Sequence, residues 1–78
     1  MRTGQVAVFD GYLEALPGCE PVFLPGDLVV VSAVNPEGDL RCHALSWGGG
    51  VTKRSDMVWP EEVLPLNNAP LIFEVVVD

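Results

Sequence analysis

Short apolar runs, separated by turn-forming residues, recur along the whole chain. The longest early run follows Pro25-Gly26 and continues from Leu28 to Val34. Pro25 fixes its own backbone angle φ and lacks an amide donor, whereas Gly26 tolerates conformations that other residues avoid. The run is short for a helix and rich in β-branched residues. The segment is therefore predicted to turn sharply and then enter a β-sheet.

Six runs of this kind are predicted to be strands, and they lie at residues 5–9, 27–34, 40–45, 51–58, 64–66 and 71–77. Three connections between these strands carry turn signals. Asn35-Pro36-Glu37-Gly38-Asp39 follows the second strand, and three successive glycines follow the third. Residues 59–63, after the fourth strand, are predicted to form a tight turn. Residues 10–21 are predicted to form a long ordered loop. Short strands with regular turns and almost no helical periodicity favour a small all-β barrel.

The second run is apolar on both faces of the strand, since Leu28, Val30 and Val34 alternate with other apolar residues. A small barrel has one interior face, so the opposite face requires a second layer. Five barrel strands do not need the last run, from Leu71 to Val77. We expect this run to fold over its own barrel. The alternative is that it pairs with a neighbouring chain and forms a homodimer.

Length and charge narrow the class of protein. Seventy-eight residues make one domain, and an apolar content of 49% is enough for a core without metal or disulfide staples. Eleven acidic and four basic residues give a net charge of −7. Direct binding to a phosphate backbone needs clustered Lys and Arg, so the charge argues against nucleic acid as a partner. It is compatible with a basic protein partner, or it keeps a hydrophobic small domain soluble.

The apolar runs are strand-length, far below the roughly 20 residues of a membrane-spanning helix, and no signal peptide is visible. We therefore expect a cytoplasmic protein that does not bind membranes. Cys19 and Cys42 are distant in sequence, and without a secretion signal both thiols are expected to be free and partly buried. Whether they can form a disulfide depends on a geometry that the sequence does not give.

Four segments follow one another in a familiar order. They are Ala7-Val8-Phe9-Asp10-Gly11-Tyr12 before an acidic loop, Phe23-Leu24-Pro25-Gly26-Asp27-Leu28, Glu37-Gly38-Asp39, and Met57-Val58-Trp59-Pro60-Glu61-Glu62-Val63. This order resembles the SH3 domain, and it is also similar to small SH3-like proteins of bacteria and phages, most of them of unassigned function. The resemblance implies a five-stranded SH3-like barrel over residues 1–66, with residues 67–78 as an extension that carries an additional C-terminal strand.

The resemblance also implies a groove for Pro-rich peptides, with Tyr12 and Pro60 at two of its positions. Leu40 and Arg41 stand where the groove tryptophan is expected, and Val63 replaces a second groove tyrosine. These departures argue against recognition of Pro-rich peptides and leave a different kind of protein partner.

The candidate binding residues are Tyr12, Glu14, Trp47, Trp59 and Pro60. Trp47 lies beside the glycine run and is either an exposed binding anchor or a residue that folds back over a barrel end. Tyr12 is either a groove aromatic or packs on the barrel with its hydroxyl hydrogen-bonded to the backbone. Trp59 is expected to close the barrel or to lie near the groove.

Acidic residues at positions 10, 14 and 20 make the long loop acidic. This loop could attract Arg or Lys of a partner, or it could simply be a solvated face. Lys53 and Arg54, close to Asp56, are expected to pair locally on the fourth strand and to add little stability.

The sequence offers no catalytic constellation. Adjacent strand residues point to opposite faces, so Cys42 and His43 cannot converge on one site. One histidine and two cysteines do not supply four zinc ligands unless an acidic residue joins them. Neither a nucleophile elbow nor a Gly-rich phosphate loop is present. We therefore predict a non-enzymatic protein with no metal and no cofactor.

The sequence thus predicts a protein–protein interaction module, such as a bacterial or phage accessory protein, whose contact surface combines Tyr12, Trp47, Trp59 and the acidic loop. Two alternatives come from other classes. An acidic inhibitor would occupy a nucleic-acid-binding site on a host enzyme, and this requires carboxylates arrayed on one face. A structural or assembly subunit would use the apolar run from Leu71 to Val77 to associate.

Overall fold

The computed structural model describes residues 1–14, 18 and 20–72. In this part of the chain five antiparallel strands form one sheet: β1 (Val6–Phe9), β2 (Leu28–Val34), β3 (Leu40–Leu45), β4 (Val51–Val58) and β5 (Val63–Pro65). A 3₁₀ turn, Pro60–Glu62, is the only helical element among the described residues. The spatial order is β4-β3-β2-β1-β5. The predicted all-β class is confirmed, and each of these five strands begins and ends within one residue of its predicted bounds.

The sheet is open, with β4 and β5 at its edges, and its all-antiparallel order is consistent with an SH3-like fold. The sixth predicted strand, from Leu71 to Val77, lies outside the described residues except for Leu71 and Ile72, which are not in a strand. The amide of Ile72 donates to the Gly4 carbonyl at 2.8 Å, so the chain passes beside its own N-terminal segment at this point. Among the residues described, none forms a helix long and apolar enough to cross a membrane.

The turn that precedes β2 is held against β1. Gly26 has φ of +95°, a conformation that side chains disfavour, and its amide donates to the Phe9 carbonyl at 2.7 Å. The Phe9 amide in turn donates to the Asp27 carbonyl at 2.8 Å. The glycine therefore lets the chain reverse and start β2 in register with β1, where Val8 faces Leu28.

The core lies on one face of the sheet and is completed by the long loop. Phe9 and Phe23 are fully buried, and their ring centroids are 5.4 Å apart. The remaining members of this core cluster come from all five strands: Ala7, Val29, Val31, Leu40, Cys42, Ala44, Val58 and Val63. Because Phe23 belongs to the β1–β2 loop, burying its ring fixes the end of that loop against the sheet.

The opposite face of β2 is buried as well. Val30 is fully buried and Val6, its partner on β1, nearly so, although neither belongs to the core cluster. This burial agrees with the prediction that β2 is apolar on both faces. The run from Leu71 to Val77, proposed as the second layer or as a dimer contact, lies largely outside the described residues, so both alternatives stay predictions.

A β-bulge in β4 interrupts its regular pairing with β3. Because His43 pairs with Ser55 and Leu45 pairs with Val51, Ala44 of β3 faces three residues of β4 instead of one. The Thr52 hydroxyl donates to the Ala44 carbonyl at 2.8 Å, and the His43 ring, through Nδ1–H, donates to the Thr52 carbonyl at 2.9 Å. Side chains thus replace the ladder hydrogen bonds that the bulge interrupts.

We expect Phe23→Ala to destabilise the domain by about 3–5 kcal/mol, because it removes a fully buried ring and leaves a cavity. The matched control is Leu24→Ala, at the neighbouring exposed position, for which a change within about 0.5 kcal/mol is expected. Denaturant unfolding followed by circular dichroism measures both. Equal effects of the two substitutions would show that the loop is not anchored through Phe23.

Candidate functional site

The buried carboxylate of Glu62 joins two segments that are distant in sequence. Its Oε2 accepts from the Leu13 amide at 2.9 Å, and its Oε1 accepts from the Trp59 amide at 2.7 Å. Its backbone carbonyl also accepts from the Asp10 amide at 2.8 Å. Glu62 is 5% exposed, so both carboxylate bonds are sheltered from water. The loop after β1 and the 3₁₀ turn before β5 are therefore held side by side.

We call the surface formed by residues 10–14 and 59–61 the clamp surface. It exposes two apolar side chains, Leu13 at 61% and Trp59 at 41%. It also carries three exposed carboxylates, Asp10, Glu14 and Glu61, and its two segments contain no Lys or Arg. Apolar area bordered by charge of a single sign is suited to a partner that is both apolar and basic.

Tyr12 is part of the structure that supports this surface. Its ring meets Phe9 edge-on with centroids 4.7 Å apart, and its hydroxyl donates to Asp56 Oδ2 at 2.8 Å. The Phe23 amide donates to the same hydroxyl at 3.4 Å. Burial and the hydrogen bond to Asp56 raise the pKa of Tyr12 from 10.0 to about 12. Tyr12 thus packs on the core with a satisfied hydroxyl, whereas its alternative role as a groove aromatic stays a prediction.

The structure brings four of the five sequence-predicted binding residues together and places the fifth elsewhere. Tyr12, Glu14, Trp59 and Pro60 lie in the two segments that Glu62 joins. Trp47 lies in the β3–β4 turn, at the opposite end of β4 from Trp59. The eight residues of β4, at about 3.3 Å each, span at most roughly 25 Å between these two positions. Trp47 is fully exposed, so it does not fold back over the barrel.

Arg54 and Asp56 of β4, which were expected to pair locally, bind residues outside this strand. Arg54 Nη2 lies 3.4 Å from Asp27 Oδ2, across the sheet from β4, and donates to the Val22 carbonyl at 2.6 Å. Asp56 instead accepts from Tyr12 and from the Met57 amide. The side chains of Arg54 and Asp56 therefore hold the β1–β2 loop rather than each other.

The structure describes Cys42 and His43, which the sequence predicted to lie on opposite faces of a strand. Cys42 is a free, fully buried thiol whose pKa burial raises from 9.0 to about 11, whereas His43 is half-buried on the other face of β3. Cys19 lies outside the described residues. In the described ranges no group of three or more His, Cys, Asp or Glu side chains is placed to hold a metal ion.

Comparison of the chain with models of known protein families, with curated proteins and with solved structures found no match to any of them.

Sequence reasoning missed Glu62, on which the clamp surface depends. Trp59-Pro60-Glu61-Glu62 does contain a local signal, because an acidic residue three positions after the residue that starts a helical turn can accept that residue's amide. This signal predicts the bond to Trp59. It does not predict the bond to Leu13, since that contact spans 49 residues.

We expect Glu62→Ala to destabilise the protein by about 2–3 kcal/mol, because two amides lose their sheltered acceptor. Hydrogen exchange at Leu13 and Trp59 should accelerate in this variant. The matched control is Glu61→Ala at the adjacent, exposed position, with an expected change within about 0.5 kcal/mol. Unchanged exchange at Leu13 in Glu62→Ala would contradict the clamp.

Alkaline titration tests the environment of Tyr12, the single tyrosine of the chain. The folded protein should release the phenolic proton with a pKa of about 12, and the unfolded protein near 10.0. Between these values the unfolded state binds fewer protons, so the free energy of unfolding should fall as the pH rises from about 10 to about 12. Absorbance of the phenolate measures the pKa directly.

Two variants separate this contribution from that of Cys42. Tyr12→Phe should remove the decline of stability that belongs to the phenol, and Cys42→Ala should remove the decline expected between about pH 9 and 11. A folded-state phenol that titrates at 10 would contradict the buried, hydrogen-bonded position of Tyr12.

Proposed function

We propose that the protein is a non-enzymatic interaction module and that its clamp surface binds a basic segment of a partner protein. The observation that carries this proposal is the bridge made by Glu62. It places exposed Leu13 and Trp59 in one surface together with the carboxylates of Asp10, Glu14 and Glu61.

Three properties support this use of the surface. Tryptophan is enriched at the residues that contribute most to binding energy, and Trp59 is exposed while its backbone amide is hydrogen-bonded to Glu62. The surrounding carboxylates favour Arg and Lys and accelerate encounter with a basic partner. The whole chain, at a net charge of −7, adds to this attraction.

The position of the surface also supports the proposal. Both of its segments are connections between strands, and both are fixed to the sheet through buried groups rather than left free. Binding residues are commonly carried on loops that a rigid scaffold positions. A surface that is ordered before binding loses less conformational entropy when a partner arrives.

The acidic-inhibitor alternative has less support in the distribution of charge. Glu37 and Asp39 lie in the β2–β3 turn, and Asp27 is paired with Arg54. Asp56 accepts from Tyr12 in the same way. Two of the carboxylates are therefore engaged within the domain, which leaves fewer of them to form an array on one face.

Nuclear magnetic resonance titration tests the proposal. A short uncharged-ended peptide of alternating Arg and Leu should shift the amide signals of residues 10–14 and 59–62, and affinity should fall as salt is added. A control peptide of the same length, with Glu in place of Arg, should not bind. Shifts spread evenly over the sheet, or equal binding of the acidic peptide, would contradict the proposal.

Variants assign the binding energy to individual side chains. Trp59→Ala is expected to weaken binding at least about tenfold, and Trp47→Ala, the matched control at the other end of β4, should leave it unchanged. Glu14→Gln and Glu61→Gln should each weaken binding about two- to fivefold. Thermal unfolding of each variant shows whether a loss of binding reflects a loss of folding.

A further inference from the structure

The β3–β4 turn holds Trp47 in a defined position. The Ser46 amide donates to the Gly50 carbonyl at 2.8 Å, and the Gly49 amide donates to the Ser46 carbonyl at 2.9 Å. The Gly50 amide also donates to Ser46 Oγ at 3.1 Å. Gly49 has φ of +83°, which explains a glycine at this position. The glycines therefore build a closed turn and not a loose loop, and Trp47 is presented to solvent from it.

An open pocket of about 450 Å³ lies beside Trp47. Its walls come from three parts of the fold: the start of β2, the end of β3 with its turn, and the bulge of β4. Leu28, Leu45 and Trp47 supply apolar area, and Leu28 and Trp47 are exposed. The volume lies within the range of about 300–1,000 Å³ that is usual for sites of small ligands and side chains.

The bulge brings Arg54 into this pocket next to Asp27. The pair lies 3.4 Å apart with side chains 58% and 34% exposed, so it adds little stability by itself. In the described part of the chain, Arg54 uses only Nη2 for its hydrogen bonds, to Val22 and Asp27, and Asp27 uses only Oδ2, for Leu24 and Arg54. Nη1 and Nε of the arginine can therefore still donate, and Oδ1 of the aspartate can still accept.

This combination matches the chemistry of a peptide group. A peptide unit offers one N–H donor and one carbonyl acceptor and carries no net charge. Arg54 and Asp27 offer the complementary donor and acceptor and cancel each other's charge. We propose that the pocket beside Trp47 binds an extended, uncharged segment of another protein, with one large apolar side chain of that segment packed against Trp47 and Leu28.

The pocket differs from the clamp surface in the chemistry of its proposed partner, which is uncharged here and basic there. Trp47 and Trp59 lie at opposite ends of β4, whereas residues 10–14 follow Phe9, which is hydrogen-bonded to Gly26 and Asp27 of the pocket. The two proposals therefore stand or fall independently, and each has its own probe. N-acetyl-leucine amide carries one apolar side chain between two neutral peptide groups and serves as the probe here. A ligand of this size is expected to bind with a Kd of about 1–10 mM.

In the isotope-labelled protein the probe should shift the Trp47 indole signal and the amides of Leu28, Ser46 and Thr52, all at the pocket. Signals of residues 59–62, at the other end of β4, should stay in place. N-acetyl-glycine amide, which lacks the side chain, should bind at least about tenfold more weakly. N-acetyl-leucine, with a free carboxylate, and leucine amide, with a free ammonium, should both bind more weakly than the neutral compound.

Trp47→Ala should weaken probe binding about tenfold or more, with little effect on thermal unfolding because the indole is fully exposed. Trp59→Ala should leave probe binding unchanged. Arg54→Ala should weaken it about threefold or more, whereas Lys53→Ala, at the adjacent position of the bulge, should not.

Three results would overturn the proposal. The first is an absence of shifts at the pocket up to about 50 mM probe. The second is tighter binding of the carboxylate than of the neutral amide, which would make the pocket an anion site. The third is equal binding of a small apolar alcohol that lacks a peptide group, which would make it a site for apolar small molecules.

Discussion

The carboxylate of Glu62 is the contact on which the arrangement of the clamp surface depends. A charged group that is 5% exposed must be compensated by hydrogen bonds, and here two backbone amides provide them. One amide belongs to the loop after β1 and the other to the turn before β5. Pairing of Phe9 with Val63 aligns the same two segments, and the bond from Asp10 to the Glu62 carbonyl extends this pairing by one step. Strand pairing and the hydrogen bonds of the Glu62 carboxylate therefore hold these two segments in the same relative position.

The long β1–β2 loop is held in a similar way along the inner side of β4. Tyr12 reaches Asp56, Val22 accepts from Arg54, and Phe23 is buried in the core. An acidic loop of this length would be mobile if only its ends were fixed. These three contacts explain why its described part has a defined place, and they assign the polar residues of β4 a structural purpose that their sequence does not reveal.

The fold was largely predictable because its signals are local. Short runs bounded by turn-forming residues indicated the five described strands, and Pro25-Gly26 correctly marked the start of β2, where Gly26 adopts a positive φ. Burial of Val30 together with Val29 and Val31 agrees with the two-sided apolar pattern of β2. The binding residues were predictable by type, since exposed aromatics and acids stand out in a composition that is 49% apolar. Their grouping was not predictable, because it depends on contacts between distant residues.

By itself, the sequence determined the strands and the turns between them, since residues adjacent along the chain decide both. It also determined the acidic character of the chain, which depends on composition alone. The tertiary structure decided that Leu13 and Trp59 share the carboxylate of Glu62 and that Trp47 is fully exposed. It also decided that Glu62 is buried while Glu61 is exposed. The physical reason is that these outcomes rest on hydrogen bonds and packing between residues that are far apart in sequence, such as Leu13 and Glu62. No local sequence pattern encodes which of two neighbouring carboxylates accepts a hydrogen bond from a distant amide.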